Sequence, residues 1–226
     1  MKRPQSLVIF LLILLCVCAP ARADELMAFH NLTTADGLTS NRVPAIYRDS
    51  RGFLWVGTEE GLDRYDAYRF CSFTALDGLP GARISSLAED TQGRIWVMTL
   101  DGSACYSYQD DRFVPAEEAL SAMGIRIREP MAVGSNQDHS IFWVLGEESI
   151  AAYIAAQGRV LEFPVTDTRY LLPCLQEDRI YYADAEARLF CADLRTGVRE
   201  EIQYPEDFRT LLAGSVPVLY ADRRGG

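Results

Sequence analysis

Residues 49–66 read DSRGFLWVGTEEGLDRYD, and how this stretch is understood decides the fold. An Asp-x-x-Gly turn signal and a Glu-Glu-Gly turn signal bracket a β-rich run that carries a tryptophan. Displaced by 41 residues, the pattern recurs: DSRGFLWVGTEEGLDRY (49–65) lies over DTQGRIWVMTLDGSACY (90–106). Asp49, Gly52, Trp55, Val56, Thr58, Gly61 and Tyr65 fall on Asp90, Gly93, Trp96, Val97, Thr99, Gly102 and Tyr106; Gly57 falls on Met98. Upstream and in the same register, Asp36, Gly37 and Leu38 fall on Asp77, Gly78 and Leu79, Val43 on Ile84, and Ile46 on Leu87. Identity at so many spaced positions in one register marks an internal repeat.

Each tile reads as four short strands. VPAIYRD and ISSLAED open it, and the Asp-x-x-Gly turn follows, where Asp bonds the backbone and Gly takes a positive φ. FLWVGT and RIWVMT come next, then a tight turn at EEG or LDG, then LDRYD or SACYSY. YRFCSFT and RFVPAE complete the set. Four strands in about forty residues is the size of one β-propeller blade. Weaker tiles follow: HSIFWVLGEESIAAYIAAQGRVLEF keeps Trp143, Gly146 and Tyr153, and RIYYADAEARLFCADLRTGVREEI puts Tyr181 or Tyr182 in the tryptophan's place. VPVLYADRRGG (216–226) matches VPAIYRDSRGF (43–53) and reads as a fifth blade opening before the sequence stops.

The expected organisation is therefore all-β, an incomplete propeller of four-stranded blades. Its tiles run at roughly 40–74, 81–115, 130–164, 169–204 and 215–226, the N-terminal part of a longer protein. PAEEALSAMGIRI interrupts the β pattern and predicts one or two helical turns from Ala116 to Met123, an excursion between blades. A ring that cannot close leaves a blade face uncovered, so the isolated chain is expected to be poorly soluble or oligomeric.

Ahead of the tiles, Lys2 and Arg3 precede an apolar run from Leu7 to Cys18, and Ala21 and Ala23 occupy the small-residue positions of a cleavage site. This is a secretory signal over 1–23, too short and wrongly flanked for a membrane span. Cys16 and Cys18 follow bulky residues, which disfavours lipoprotein processing. Removal of the signal takes three cations and no acid, shifting the formal charge from −10 to −13, and Lys2 is the only lysine. An acidic, lysine-free surface repels phosphate backbones and anionic membranes, so nucleic acid is excluded as a partner of this segment. Cys71, Cys105, Cys174 and Cys191 remain. They lack C-x-x-C spacing and a neighbouring histidine, so a metal site is not expected, and disulfides and buried free thiols stay open as alternatives.

From Asn41 to Asp66 the residues Asn41, Val43, Ile46, Asp49, Gly52, Leu54, Trp55, Val56, Gly57, Thr58, Gly61, Leu62, Arg64, Tyr65 and Asp66 resemble the two-component regulator propeller repeat. The lead-in FHNLTTADGLTSNRV (29–43) is similar to the family's start after its signal peptide. The resemblance implies a periplasmic sensor region, built as paired seven-bladed propellers. A membrane helix, a histidine kinase and often a DNA-binding output would follow, with an oligosaccharide as ligand and a homodimer partner. Many such sensors belong to gut Bacteroidetes.

The repeat residues are better explained by architecture than by reactivity. Trp55 and Trp96 are expected to wedge between neighbouring sheets, each burial worth roughly 2–3 kcal/mol. Asp49 and Asp90 are expected to form turns rather than a paired-carboxylate site. Asp138-His139-Ser140 holds triad residue types, but adjacent residues cannot adopt triad geometry, so it reads as a polar loop. No phosphate-binding, dinucleotide or metal motif is present. The chain is thus expected to be non-catalytic and to need no cofactor. Ligand contacts should come from the segments leading into each innermost strand, where Asn41, Arg42 and Arg83 lie in equivalent tiles. Other readings are an interaction scaffold, a sensor with another output such as a cyclase, and a propeller lyase.

Overall fold

The computed structural model describes residues 31–165, 173–184 and 188–205. The signal at 1–23 and the fifth tile at 215–226 lie outside the described residues. Among the described residues, sixteen strands form four antiparallel sheets, each a simple meander of four neighbours in chain order. The first comprises β1 (Ala45–Arg48), β2 (Leu54–Gly57), β3 (Leu62–Tyr65) and β4 (Phe70–Phe73). The second comprises β5 (Ile84–Glu89), β6 (Ile95–Thr99), β7 (Ser103–Ser107) and β8 (Arg112–Pro115). The third comprises β9 (Ala132–Ser135), β10 (Ile141–Leu145), β11 (Ser149–Ile154) and β12 (Arg159–Pro164). The fourth comprises β13 (Cys174–Gln176), β14 (Arg179–Ala183), β15 (Leu189–Asp193) and β16 (Arg199–Ile202). All belong to one unit, Leu32–Gly226.

The repeat's polar residues make its turns. Asp49 Oδ1 accepts the Arg51 and Phe53 N–H groups (3.0 and 2.9 Å), while its Oδ2 accepts the indole N–H of Trp55 (2.8 Å). Asp90 repeats this with the Gln92 and Arg94 N–H groups and the Trp96 indole (2.8, 3.1 and 2.8 Å). Gly52 and Gly93 take the left-handed φ the turn requires, 93° and 72°. At the second turn the Thr58 hydroxyl donates to the Gly61 carbonyl (2.9 Å), and Thr99 does the same to Gly102 (2.8 Å).

Strand periodicity then decides which sheet each side chain meets. Trp55 and Leu62 of the first sheet share a core with Ile84, Ile95, Val97, Ala104, Tyr106 and Phe113 of the second. The opposite face of the second sheet, Ala88, Trp96, Met98, Cys105 and Val114, packs on Val133, Phe142, Val144 and Ala151 of the third. Trp143, Ile150, Ala152 and Phe163 then meet Ile180, Tyr182, Phe190 and Ala192 of the fourth. Each of the two middle sheets thus serves two cores, and each tryptophan faces the following sheet. In register, Tyr181 pairs with Cys174 and Cys191 on the face away from the third sheet, whereas Tyr182 faces it. Tyr181 is therefore the counterpart of the tryptophans. The innermost strands β1, β5 and β9 lie side by side in succession, as blades around a common axis require. Gly57 is needed at the first junction: a Cβ there would sit 2.6 Å from Ile84 Cγ2.

The helix α1 (Ala116–Ala122) occupies the expected excursion. It is more than a surface detour, since Ala116, Ala119, Leu120, Met123 and Ile125 join the core between the second and third sheets. Cys71, Cys105, Cys174 and Cys191 are free thiols. Cys174 and Cys191 sit on strands separated by β14, two strand spacings apart and beyond disulfide reach.

Candidate functional site

The segment entering β1 and the turn between β2 and β3 meet at one end of the first sheet, because Ala45 pairs with Gly57. A 3₁₀ turn, Thr34–Asp36, precedes that segment and carries a capping box from Thr33. Asp63, buried on β3, ties the segment down by accepting the Thr39 N–H (2.9 Å) and hydroxyl (2.6 Å), and it also accepts the Ser72 hydroxyl of β4 (2.5 Å). This leaves Ser40, Asn41 and Arg42 over the sheet end, beside a cavity of about 450 Å³ lined also by Thr34, Thr39, Glu59 and Glu60.

The structure brings the sequence-predicted residues Arg42 and Arg83 together on Glu59. Arg42 Nη1 lies 3.2 Å from its Oε2 and Arg83 Nη2 lies 3.3 Å from its Oε1. Glu59 is also fixed through its backbone, whose N–H donates to the Arg42 carbonyl (3.2 Å). Both guanidiniums remain largely exposed, at 79% and 61% of their side-chain surface, so the ion pairs add little stability and stay available to a ligand. Asn41 serves a different end, because its Oδ1 accepts the Thr34 N–H (3.0 Å) and holds the lead-in turn. Glu59 is not legible as a site residue in the sequence because the Glu-Glu-Gly signal presents it only as a turn residue. Its one available signal is the recurrence of arginine at positions 42 and 83, which flank it in adjoining tiles.

Thr58 and Gly61 close the turn that presents Glu59 and Glu60, whereas the tryptophans and tyrosines of the repeat lie in the cores or at the sheet surface. Trp55 and Trp96 are both 0% exposed. Tyr106 is buried and its hydroxyl meets Asp111 and Arg64, while Tyr65 donates to the Ala67 carbonyl (3.0 Å) at the sheet surface. Tyr108 bridges the first two sheets by donating to Asp49 Oδ2 (2.5 Å), and burial followed by that bond pushes its phenol far up. Burial likewise pushes the Cys105 thiol up to about 12, leaving it inert as a nucleophile. Among the described residues no cluster of three or more His, Cys, Asp or Glu side chains could hold a metal ion. Among the same residues no helix is long and apolar enough to cross a membrane.

A family model described as the two-component regulator propeller matches residues 37–60 and 78–101, the two strong tiles. No curated protein matches the chain in sequence. Among solved structures, the extracellular domain of a hybrid two-component system from B. thetaiotaomicron aligns at 21% identity with a TM-score of 0.55, over 78% of this chain and 26% of that one. Apo AztD from Citrobacter koseri aligns at 13% identity with a TM-score of 0.50, over 72% of this chain and 46% of its own. At these identities the likeness establishes the fold. The chain spans about a quarter of the length of the first structure.

Proposed function

We propose that this chain, which carries two-component regulator propeller repeats, is the ligand-sensing propeller segment of an extracytoplasmic two-component sensor, and that it recognises an oligosaccharide. The observation carrying this reading is the junction at Glu59. Arg42 leads into the first sheet and Arg83 into the second, and both reach one carboxylate beside a cavity lined by hydroxyl, amide and charged groups. Such a lining suits the hydroxyls of a sugar, which offer donors to Glu59 and acceptors to the arginines. A ligand bridging the two arginines binds one arrangement of the sheet junction better than another, and that difference is what a sensor must transmit. The partners in this reading are the rest of the sensor, with its histidine kinase and transcriptional output, and a second copy of it.

Titration calorimetry against a panel of neutral and acidic oligosaccharides tests the reading. Arg42→Ala and Arg83→Ala should each weaken binding at least about tenfold, the loss of one charge-assisted hydrogen bond. They should leave the melting temperature nearly unchanged, because exposed ion pairs contribute little. Equal affinity in both variants and the unaltered chain, or no binding by any sugar, would overturn the proposal.

A further inference from the structure

The opposite ends of the innermost strands hold a different arrangement. His139, in the turn between β9 and β10, has φ 55°, with its N–H held by the Asn136 carbonyl at 3.1 Å. A histidine in the left-handed region carries strain, and such strain concentrates at functional sites. Its Nδ1 lies 3.1 Å from Ser135 Oγ on β9, and its Nε2 lies 3.7 Å from Oε2 of Glu89 at the end of β5. Glu89 is buried, and its carboxylate also accepts the Ser50 N–H (2.7 Å) and the Ser50 hydroxyl from the β1–β2 turn. Three sheets therefore contribute to one polar array. The Glu89 carboxylate faces Nε2 from beyond hydrogen-bond distance; in the tautomer with its proton on that nitrogen, Nδ1 accepts from Ser135.

Tyr47 of β1 completes the group. Burial first, then the Glu89 charge, pushes its phenol up to about 12, and a hydrogen bond with Ser135 partly offsets this. The phenol thus keeps its proton beside the serine. Tyr47, Ser135, Asn136 and His139 line an open cavity of about 440 Å³, with Glu89 behind its wall. A serine in reach of a base, the base in turn facing a buried carboxylate, with a neutral phenol alongside, is the constellation of acyl transfer. The sequence hid it: the histidine's immediate neighbours Asp138 and Ser140 bond each other (2.7 Å), whereas its partners are Ser135 across the turn and Glu89 from the second sheet.

We propose that this cavity is a hydrolytic site for small acyl esters, with Ser135 as nucleophile, His139 as base and Tyr47 as oxyanion donor; Glu89 is a positioning residue. Ser135 Oγ attacks the acyl carbon as its proton passes to His139 Nδ1, and Tyr47 donates to the resulting oxyanion. The bond from the acyl carbon to the alcohol oxygen breaks, and the alcohol leaves with the proton from His139. Water then attacks the acyl-serine, giving its proton to His139, which returns it to Ser135 as the acid departs. The sum is ester plus water to acid plus alcohol.

The test uses the full chain with 4-nitrophenyl acetate and with a fluorophosphonate probe mapped by peptide mass spectrometry. Turnover above buffer and labelling at Ser135 are expected, both abolished in Ser135→Ala. His139→Gln should lower kcat about 100-fold or more, the usual share of a general base. Glu89→Gln should lower kcat with KM unchanged, and Glu89→Asp should recover part of it, which loss of folding would not do. Turnover unchanged in Ser135→Ala, a label on another residue, or a folded chain that neither turns over nor labels would overturn the proposal. The Arg42–Arg83 mouth lies at the other strand ends, so failure here leaves the sugar-binding reading standing.

Discussion

Asp49 does three things with one carboxylate. It caps its turn through two N–H groups, orients Trp55 through the indole, and accepts Tyr108 from the neighbouring sheet. Buried at 5% exposure, it is tolerable only because its lone pairs are so fully used. Asp49→Ala leaves the indole N–H and the Tyr108 hydroxyl without an acceptor in the core, a loss of about 2–4 kcal/mol. Urea unfolding followed by tryptophan emission should show the midpoint falling with little change in slope; a shift under about 0.5 kcal/mol would contradict this role. The motif Asp-x-x-Gly-x-x-Trp was legible as a turn followed by a core residue. That the same acid also binds the tryptophan depends on a strand reversal that brings residues 49 and 55 side by side, with Tyr47 opposite Trp55.

At the scale of the element, turns are set by short polar signals and are read well from sequence. Asp66, Asp138 and Asp193 each accept nearby N–H or O–H groups, which lowers the carboxyl below its ordinary value in each case. A depressed pKa in the folded state contributes stability above the ordinary carboxylate value near 4, and that contribution is lost as pH falls through the folded value. The urea midpoint should therefore be flat above about pH 5 and fall below about pH 4. Asp193→Asn should make that fall shallower; an unchanged acid limb would count against the turn's part in it. The helix α1 shows where element-level reading stops. Its position was legible from PAEEALSAMGIRI, but its apolar residues are few, and only the gap between two sheets makes Leu120 fully buried.

For the whole unit, no sheet owns a core. Each junction is built from two sheets, with the face chosen by strand alternation. Trp96 belongs to the second sheet and packs on Phe142 of the third, ring centroids 5.1 Å apart. Trp96→Ala should lower hydrogen-exchange protection in β10 and β11 as well as in β6 and β7, by about 3–5 kcal/mol if unfolding is shared. Loss confined to β5–β8 would show that the sheets unfold separately. The innermost strand of the first sheet leaves Ile46 64% exposed, on the face that no other described sheet covers.

The sequence alone determined the tile, its period, its strand count and its turn chemistry, because these rest on local periodicity and on residues a few positions apart. It also placed Arg42 and Arg83 at equivalent points, since a repeat carries position as well as type. Only the tertiary structure decided that both arginines reach Glu59, and that Tyr181 rather than Tyr182 stands for the tryptophan. Only the structure, too, gave His139 its partners in Ser135 and Glu89. Those outcomes depend on how hairpins close and which strand ends meet at the junction between sheets, and the junctions are set by packing of faces from neighbouring tiles about forty positions apart.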